Sequence, residues 1–263
     1  MLDLEFTQLS DPGRSREQNE DYLGYLLPAT PAQARAHGWL FALADGVGGQ
    51  RQGEVAARIA VETLLAGFRE SSVREAHSAL LPRLVQTANA RVVDAGLASG
   101  AAIATTLVAC ALRFDRVVVA HVGDSRCYLI RRNRATALTR DHTLVDEQAR
   151  MGLISAEDAH HAATRHILSR SLGSALFVAA DVAENQITAG DVLLLCSDGL
   201  HGAVTAQEMA RAVSEMDTLV GAAERLLELA NQRDGSDNIS VQLIRVRSVE
   251  RMGMYRGRPY KLR

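Results

Sequence analysis

Aspartates stand at the ends of several apolar, strand-like runs in this sequence. The runs FALADG, VAHVGDSR and VLLLCSDGL place Asp45, Asp124 and Asp198 directly after the small residue that closes each run. Two more aspartates, Asp21 in SREQNEDYLG and Asp237 in DGSDNISV, lie in polar segments beside other strand-like runs. An isolated Asp-Gly pair is most often an ordinary turn. Five aspartates in related positions instead predict that several strand ends converge on one cleft.

Carboxylates gathered in one cleft repel each other. Two such charges 4 Å apart cost about 4 kcal/mol at the effective dielectric typical of a protein surface, so a convergent set requires cations. Ligation by oxygen alone favours Mg²⁺ or Mn²⁺, with water completing the coordination. Gly46, directly after Asp45, would let a backbone carbonyl approach such an ion because it carries no Cβ.

The elements that must position these side chains can be predicted from hydrophobic periodicity. Short β-branched runs predict strands at 22–27, 39–44, 103–112, 116–122, 127–131, 191–196 and 239–246. Apolar residues at helical spacing predict helices at 53–69, 74–97 and 219–233. Because strands come in clusters and do not alternate strictly with helices, the pattern favours antiparallel sheets with helices packed outside.

Composition narrows the class of protein. The chain has 263 residues, 47% of them hydrophobic, and a formal net charge of −2, so it has no overall basic field for nucleic acid or an anionic membrane. No signal peptide and no transmembrane span is expected. Cys110, Cys127 and Cys196 lie far apart in strand-like runs, which is typical of core thiols in a reducing compartment. We therefore expect a cytoplasmic globular domain over 1–247, followed by a basic tail over 248–263 that is either flexible or docks a partner.

The histidines lack the spacing of metal ligands on a helix, and packing or a surface hydrogen bond is the expected role of each. His142, in RDHT, is the least ordinary of them. Ser125 and Ser197 flank two of the aspartates without a Ser-His-Asp arrangement, so we expect them to cap and orient backbone. The histidines considered are His121, His142, His160, His161, His166 and His201.

These residues fall in an ordered series of motifs that resembles one known family. The series is SREQNED, LADGVGG, ATTLVACAL, HVGDSRCYLI, LTRDHTLVDEQ, ILSRSLG, LLCSDGL and GSDNISV. It resembles the PP2C-type metal-dependent protein serine/threonine phosphatases, in their compact bacterial form, from residue 16 to residue 246. The resemblance implies an α+β fold: a four-layer αββα sandwich of two antiparallel β-sheets flanked by helix pairs.

The resemblance also implies a set of metal ligands. By position, Asp45 would bridge two ions and the Gly46 carbonyl would bind one of them. Asp198 and Asp237 would complete the protein ligands of the first ion. Asp124, together with Asp198, matches a third-metal position seen in bacterial members of the family.

Further roles follow from the same match. Glu20 and Asp21 would act mainly through metal-bound water, and Arg16 would bind the substrate phosphate with its planar fork of donors. Asn238 falls in a position where support of the site is more expected than ligation. The segment 143–165 matches the flap, which contacts substrate and varies among members.

The implied activity is hydrolysis of phosphoserine and phosphothreonine by direct attack of a metal-bridging water or hydroxide. The cofactors would be two Mn²⁺ or Mg²⁺ ions, with a possible third. Animal members of the family have a histidine after the first Asp-Gly, proposed as the general acid, and this chain has Val47 there. Valine cannot donate a proton, so we expect metal-bound water to protonate the leaving oxygen.

Two other classes of protein stay open at this point. A phosphatase-fold binding protein that has lost activity typically lacks one of the metal-site aspartates, and all are present here. A two-metal nuclease or phosphodiesterase would need a basic substrate channel, which the net charge does not favour. As partners the resemblance implies phosphorylated proteins, a Hanks-type Ser/Thr kinase and its targets among them. We expect a monomer, with no nucleic acid and no membrane insertion.

Overall fold

The computed structural model describes residues 2–47, 52–73, 75–155, 158, 162, 164, 166–255 and 258–261, and those from 252 onward by their backbone alone. The strands are β1 (Asp3–Asp11), β2 (Asp21–Leu26), β3 (Trp39–Val47), β4 (Ala104–Thr105), β5 (Leu107–Arg113), β6 (Arg116–Val122), β7 (Arg126–Arg131), β8 (Arg134–Ala137), β9 (Asp181–Gln186), β10 (Val192–Cys196), β11 (Ile239–Ser248), β12 (Met252–Tyr255) and β13 (Arg258–Lys261). The helices are α1 (Pro31–Ala36), α2 (Gln52–Glu70), α3 (His77–Ser99), α4 (Leu144–Arg150), α5 (Asp198–His201), α6 (Ala206–Glu215) and α7 (Leu219–Arg233).

Two antiparallel sheets form the centre of the molecule. The first has the strand order β1-β11-β10-β7-β8, and the second has the order β2-β3-β5-β6-β9, with β4 paired to β3. The paired strands run in opposite directions throughout both sheets, as the clustering of strands in the sequence predicts.

The sheets stack face to face because their strands are apolar on both sides. Along β3, Phe41 and Leu43 point between the sheets, where Leu193 and Ile244 of the first sheet meet them. The residues between them point the other way, into a core formed with α2 and α3, as alternation along a strand requires. A third apolar core joins the first sheet to α6 and α7. The layers are therefore helix pair, sheet, sheet, helix pair, and the predicted αββα sandwich is confirmed.

Each predicted strand is present, but the ends differ where they matter most. β3 was expected to end at residue 44, and it continues to Val47 because Gly46 and Val47 pair with Thr105 and Ala104 of β4. The predicted 103–112 strand is divided between β4 and β5. The predicted helix at 74–97 begins at His77, and its predicted first residue lies outside the described part of the chain.

The strands that were not predicted lie at or near sheet edges. β1 and β8 are the two ends of the first sheet, and β9 is an end of the second. In β9, partly buried and exposed residues alternate, so it lacks the continuous apolar run that marks β5, β6 or β10. Beyond β11, the expected basic tail carries β12 and β13, which pair with each other as a hairpin. Among the described helices, none is long and apolar enough to span a membrane.

Candidate active site

Asp21 and Asp45 lie opposite each other at one end of the second sheet. Asp21 begins β2, and its register partner on β3 is Asp45. Directly opposed residues on antiparallel strands project to the same face, so the pairing brings two carboxylates together. Asp21 is buried and Asp45 is partly buried, so little bulk water separates the two charges.

The backbone of Asp45 is held by two threonines. Its carbonyl accepts hydrogen bonds from the Thr105 hydroxyl and the Thr106 amide, each at 2.8 Å. Its amide donates to Thr106 Oγ1 at 2.9 Å, and the same oxygen lies 2.7 Å from Ser125 Oγ. Ser125 follows Asp124, so Thr106 ties the Asp45 backbone to the loop that carries a second acidic residue.

The other aspartates arrive from the first sheet and from the end of β6. Asp198 is the first residue of α5, separated from β10 by Ser197, and Asp237 lies just before β11. Asp124 follows β6 and is buried. Ser197 donates from Oγ to Asp21 Oδ2 at 2.8 Å, and this bond links the end of β10 in the first sheet to the start of β2 in the second.

The five aspartates form one electrostatic unit. Burial, followed by the negative charges of Asp21, Asp198, Asp124 and Asp237, raises the pKa of the Asp45 carboxyl well above its usual range. Each of the other four is therefore close enough to Asp45 to disfavour its ionised form. The convergence that the sequence only suggested is present in the structure.

The neighbours of Asp45 respond differently to the same crowding. Burial raises the pKa of Asp21 to about 7, against hydrogen bonds from Ser240 and Ser197 and with a smaller effect of Asp198. Burial and the charge of Asp198 likewise raise the pKa of Asp124 to about 7. Burial also disfavours the ionised form of Asp198, but a hydrogen bond from His166 and nearby histidines hold its pKa below the usual value. Asp198 is thus the carboxyl most readily ionised among these.

Arg16, Glu20 and Asn238 surround Asp237 at the rim of this cluster. The Arg16 guanidinium is half exposed and lies 3.0 Å from Asp237 Oδ2. Burial raises the pKa of Glu20, while a hydrogen bond from the Gly53 amide and the charge of Arg16 lower it in part. Asn238 accepts from the Glu20 amide at 2.8 Å and donates to two carbonyls of the segment before it, those of Pro12 and Gln18. Asn238 therefore orients the chain that presents Glu20.

The family model for protein phosphatase 2C matches residues 14–234. The serine/threonine phosphatase stp of Listeria innocua is 36% identical over 255 residues, which cover 95% of this chain and 96% of that protein.

The chain belongs to the protein phosphatase 2C family.

Solved structures of protein phosphatase 2C relatives share its fold. The Streptococcus agalactiae serine/threonine phosphatase superposes with a TM-score of 0.85 at 31% identity, covering 92% of this chain and 99% of that one. The catalytic domain of the serine/threonine protein phosphatase PstP, solved in complex with two manganese ions, has a TM-score of 0.80 at 30% identity, covering 94% of this chain and all of that one. The sequence resemblance to this family and the phosphatase enzyme class are thereby confirmed.

Divalent cations fit the acidic cluster of this protein phosphatase 2C chain. Asp21 Oδ1 is buried and has no hydrogen-bond partner among the described residues, although a carboxylate oxygen is a strong acceptor. The pKa values of Asp21, Asp45 and Asp124 are raised in part by their negative neighbours. A hard cation among oxygen ligands would relieve this repulsion, so the residues present suit Mg²⁺ or Mn²⁺.

Glycine is required where β3 approaches the start of α2. A Cβ built on Gly46 would lie 2.2 Å from the carbonyl carbon of Gly53, and one on Gly53 would lie 2.8 Å from the Gly46 oxygen. The same Cβ on Gly53 would meet the Glu20 carboxyl carbon at 2.9 Å. The two glycines therefore allow the Gly46 carbonyl and the Glu20 side chain to come close to each other beside Asp45. Val47, at the position of the missing histidine acid, is exposed at the end of β3.

Two histidines for which the sequence predicted only packing or a surface hydrogen bond lie at the acidic cluster. His166 Nδ1 is 3.5 Å from Asp198 Oδ2, and His201 Nε2 donates to the Asp124 carbonyl at 3.0 Å. Neither contact could be deduced from spacing, because each joins parts of the chain that only the fold brings together. The position of His166 directly before the ILSRSLG motif is the signal that could have singled it out. His160 and His161 lie outside the described residues.

The predicted flap is described for residues 143–155 and for isolated positions beyond them. Thr143 caps α4 by accepting from the Asp146 amide, and it forms a bridge with Leu168 on the returning chain. The Leu144 amide donates to the Ile167 carbonyl at 2.9 Å, and the Ser169 amide donates to the His142 carbonyl at 2.8 Å. The two ends of the flap are therefore hydrogen-bonded to each other at its base.

A second group of possible metal-binding side chains shares no residue with the acidic cluster. His121, His142 and Asp181 offer ligand atoms that lie within 4.8 Å of one another. However, His142 Nδ1 accepts from the Gly123 amide at 3.1 Å, so the proton of the neutral ring is on Nε2, facing Asp181 Oδ2 at 3.3 Å. A protonated Nε2 cannot bind a cation. His142 Nε2 thus faces Asp181 without hydrogen-bond geometry, and in this tautomer the group does not provide a metal site.

Proposed function

We propose that this protein phosphatase 2C chain is a serine/threonine protein phosphatase, which hydrolyses phosphoserine and phosphothreonine in phosphoproteins by direct attack of water. The observation that carries the proposal is that four aspartates from separate parts of the chain all act on the charge of Asp45. Such crowding costs stability and is characteristic of functional sites. A binding protein that had lost phosphatase activity could keep this fold without keeping all five aspartates together.

The acidic cluster would hold two divalent cations. Asp45 would bridge them, the Gly46 carbonyl would bind one of them, and Asp198 and Asp237 would be the further direct ligands. Bound there, the cations would supply a water molecule of lowered pKa and positive charge facing the phosphate. The low pKa of Asp198 suits a carboxylate that stays ionised when an ion is exchanged.

The remaining acidic residues would hold water and a third cation. Glu20 and Asp21 would act through ordered water, and the unpaired Asp21 Oδ1 is the atom suited to accept from it. Asp124 lies close enough to Asp198 for the charge of one to raise the pKa of the other, which supports a third position shared by these two.

Arg16 would bind the substrate phosphate. Its guanidinium is 51% exposed and its partner Asp237 is 39% exposed, so the ion pair lies at the open rim of the cluster. A planar guanidinium can hold two oxygens of a phosphate at once. Arg16 would thus orient the phosphate toward Asp45 and neutralise the charge that develops on its oxygens.

Val47 leaves no side-chain acid at the position that a histidine occupies in animal members of the family. The side chain is exposed and apolar, so we propose that water protonates the leaving serine or threonine oxygen. The pH profile of the rate would then show no ionisation of a side-chain acid at this position.

The cellular setting is inferred from the same site. We propose that the protein acts as a monomer in the cytoplasm, on proteins phosphorylated by a Ser/Thr kinase, with Mn²⁺ or Mg²⁺ as cofactor. Cys110, Cys127 and Cys196 are all unpaired and buried, which supports a reducing compartment.

The test is release of phosphate from a phosphothreonine peptide with Mn²⁺ present. Wild type, Asp45→Asn, Asp237→Asn and the control Asp115→Asn should be compared, because Asp115 is also a buried aspartate but bonds to Gln186 away from the cluster. We expect the first two variants to lose at least about 100-fold in kcat/KM, a typical effect of removing a group that stabilises the transition state, and the control to keep its activity.

Three outcomes would contradict the proposal. They are equal turnover in all four proteins, full activity in excess chelator, and faster hydrolysis of a phosphotyrosine peptide than of the phosphothreonine peptide. Binding of the peptide without turnover by the wild type would favour an inactive binding protein instead.

A further inference from the structure

The loop that carries Asp124 is held by two histidine rings at two successive residues. The Gly123 amide donates to His142 Nδ1 at 3.1 Å, and His201 Nε2 donates to the Asp124 carbonyl at 3.0 Å. The two rings use different nitrogens and opposite hydrogen-bonding roles, since His142 accepts and His201 donates. We propose that His142 and His201 are positioning residues that set the separation between the Asp124 and Asp198 carboxylates, and with it the affinity for a cation between them.

His201 ties the Asp124 backbone to the helix that carries Asp198. Asp198 and His201 are the first and last residues of the short helix α5, so one element carries both the carboxylate and the imidazole. The ring reaches from this element to the Asp124 carbonyl.

His142 ties the same loop to the base of the flap. Its backbone amide donates to the Gly123 carbonyl at 3.0 Å while its ring accepts from the Gly123 amide, so the two residues are joined twice. Its carbonyl in turn accepts from Ser169, where the flap returns. His142 is 1% exposed and stacks on His121 with ring centroids 4.6 Å apart. The ring therefore has little freedom to move away from Gly123.

The loop can accept these contacts only because of its glycine. Gly123 has φ +99, and a Cβ there would lie 2.6 Å from Thr106 Cγ2. Thr106 is the residue that holds the Asp45 amide. The Asp124 loop is thus pressed against the support of Asp45, and the two histidines fix its remaining freedom.

The inference rests on the cation set proposed above, but its test does not use substrate. Asparagine places its side-chain amide near the Nδ1 position of histidine, and glutamine places its amide near Nε2. At position 142, His142→Asn should therefore keep the contact with Gly123 and His142→Gln should lose it. At position 201 the order reverses: His201→Gln should keep the contact with Asp124 and His201→Asn should lose it.

The measurement is Mn²⁺ binding to the full chain by titration calorimetry. Asp124→Asn identifies the ion in question, because it should remove one site and leave the two others. Outer partners of metal ligands contribute roughly 10–100-fold to metal affinity, and we expect a loss of that size at this site in His142→Gln and His201→Asn. The other two variants should stay close to wild type. Hydrogen exchange of the Gly123 amide is the second readout, and it should accelerate in His142→Gln but not in His142→Asn.

His77 provides a matched control. It is also buried, and its Nε2 donates to a backbone carbonyl, that of His37, at 2.8 Å. His77→Asn and His77→Gln should lower the melting temperature without changing Mn²⁺ binding.

Several results would overturn the inference. One is that Asn, or Gln, gives the tighter Mn²⁺ binding at both positions. Another is that Mn²⁺ binding is unchanged in all four variants. A third is that Asp124→Asn binds as many Mn²⁺ ions as the wild type. Loss of phosphatase activity with the predicted binding pattern intact would instead count against the proposed function alone.

Discussion

Asp21 and Asp45 are register partners on β2 and β3, at the end of the sheet where the other aspartates meet them. Burial is the largest cause of the raised pKa of each. Opposed like charges destabilise a strand pair, and an apolar pair here would be the stable choice. The fold therefore carries a local cost at the site where the proposed cations would balance it.

Neutralising Asp21 should stabilise the metal-free protein. At pH 8 we expect Asp21→Asn to raise the free energy of unfolding by about 1–3 kcal/mol, because the ionised carboxylate is penalised by burial and by Asp198. The amide can still accept from Ser197. Chemical denaturation in chelator measures the change. Asp115→Asn should give no gain, and a destabilised Asp21→Asn would contradict the explanation.

The metal-free protein should lose stability as the pH rises from about 4 to 7. The folded-state pKa values of Asp21 and Asp124 are each about 7, against an ordinary value of 3.8. Between these values the folded state holds protons that the unfolded state has released. The contribution of these two groups to the free energy of unfolding is therefore complete below pH 4 and falls as the pH rises toward 7. Each extra proton contributes a slope of up to roughly 1.4 kcal/mol per pH unit.

Thermal denaturation in chelator across this range checks the slope. The variant Asp21→Asn with Asp124→Asn should flatten it, and Mn²⁺ at pH 7 should restore stability by binding only the folded state. A slope that is the same in wild type and in the double variant would mean that other groups cause it.

Gly46→Ala should disrupt the site through the backbone. Its Cβ would lie 2.2 Å from the Gly53 carbonyl carbon, so β3 and the start of α2 must separate. Overpacking of this kind costs about 1–3 kcal/mol, and Mn²⁺ binding should weaken with it because the Gly46 carbonyl and Glu20 are displaced. Denaturation and calorimetry measure the two effects.

Gly221→Ala in α7 serves as the comparison, since its nearest neighbour would be the Thr218 hydroxyl at 3.2 Å. It should leave Mn²⁺ binding unchanged. If Gly46→Ala matched it in both measurements, the close approach of β3 and α2 would have no role in the site.

Arg16 should affect phosphate more than metal. Arg16→Ala removes both donors to the phosphate, and we expect kcat/KM for a phosphothreonine peptide to fall by roughly 10–100-fold, equivalent to about 1.4–2.7 kcal/mol. Arg16→Lys should recover only part of this, because an ammonium lacks the planar fork. Mn²⁺ affinity should stay within a few-fold, since Arg16 is half exposed at the rim. A large loss of Mn²⁺ binding with unchanged KM would reverse the assignment.

Local patterns in the sequence predicted antiparallel sheets with helices packed outside, and the family resemblance implied the four-layer order. Continuous apolar runs mark β5, β6 and β10, and helical stripes mark α2 and α7. The length of β3 could not be predicted from the sequence. Nothing near Gly46 in the chain indicates that Thr105 and Ala104 pair with Gly46 and Val47 and extend the strand past Asp45. The half-exposed edge strand β9 gave no apolar run to detect.

Some features of the candidate site could likewise be predicted from the sequence and others could not. The five aspartates could be singled out because each adjoins an apolar run, and the family motifs gave them order. The contact of His166 with Asp198 and that of His201 with the Asp124 carbonyl depend on chain reversals that no spacing encodes. The assignment of individual residues as metal ligands and phosphate binder remains a prediction, which metal and substrate complexes would test.

The most direct test of the central claim is anomalous diffraction at the manganese edge from a crystal of the full chain grown with Mn²⁺. We predict manganese peaks bonded to the Asp45 carboxylate, with Asp198 and Asp237 as further ligands. A structure with no peak at Asp45, or with its only peak at His121, His142 and Asp181, would contradict the claim that the acidic cluster holds the cations for phosphate hydrolysis.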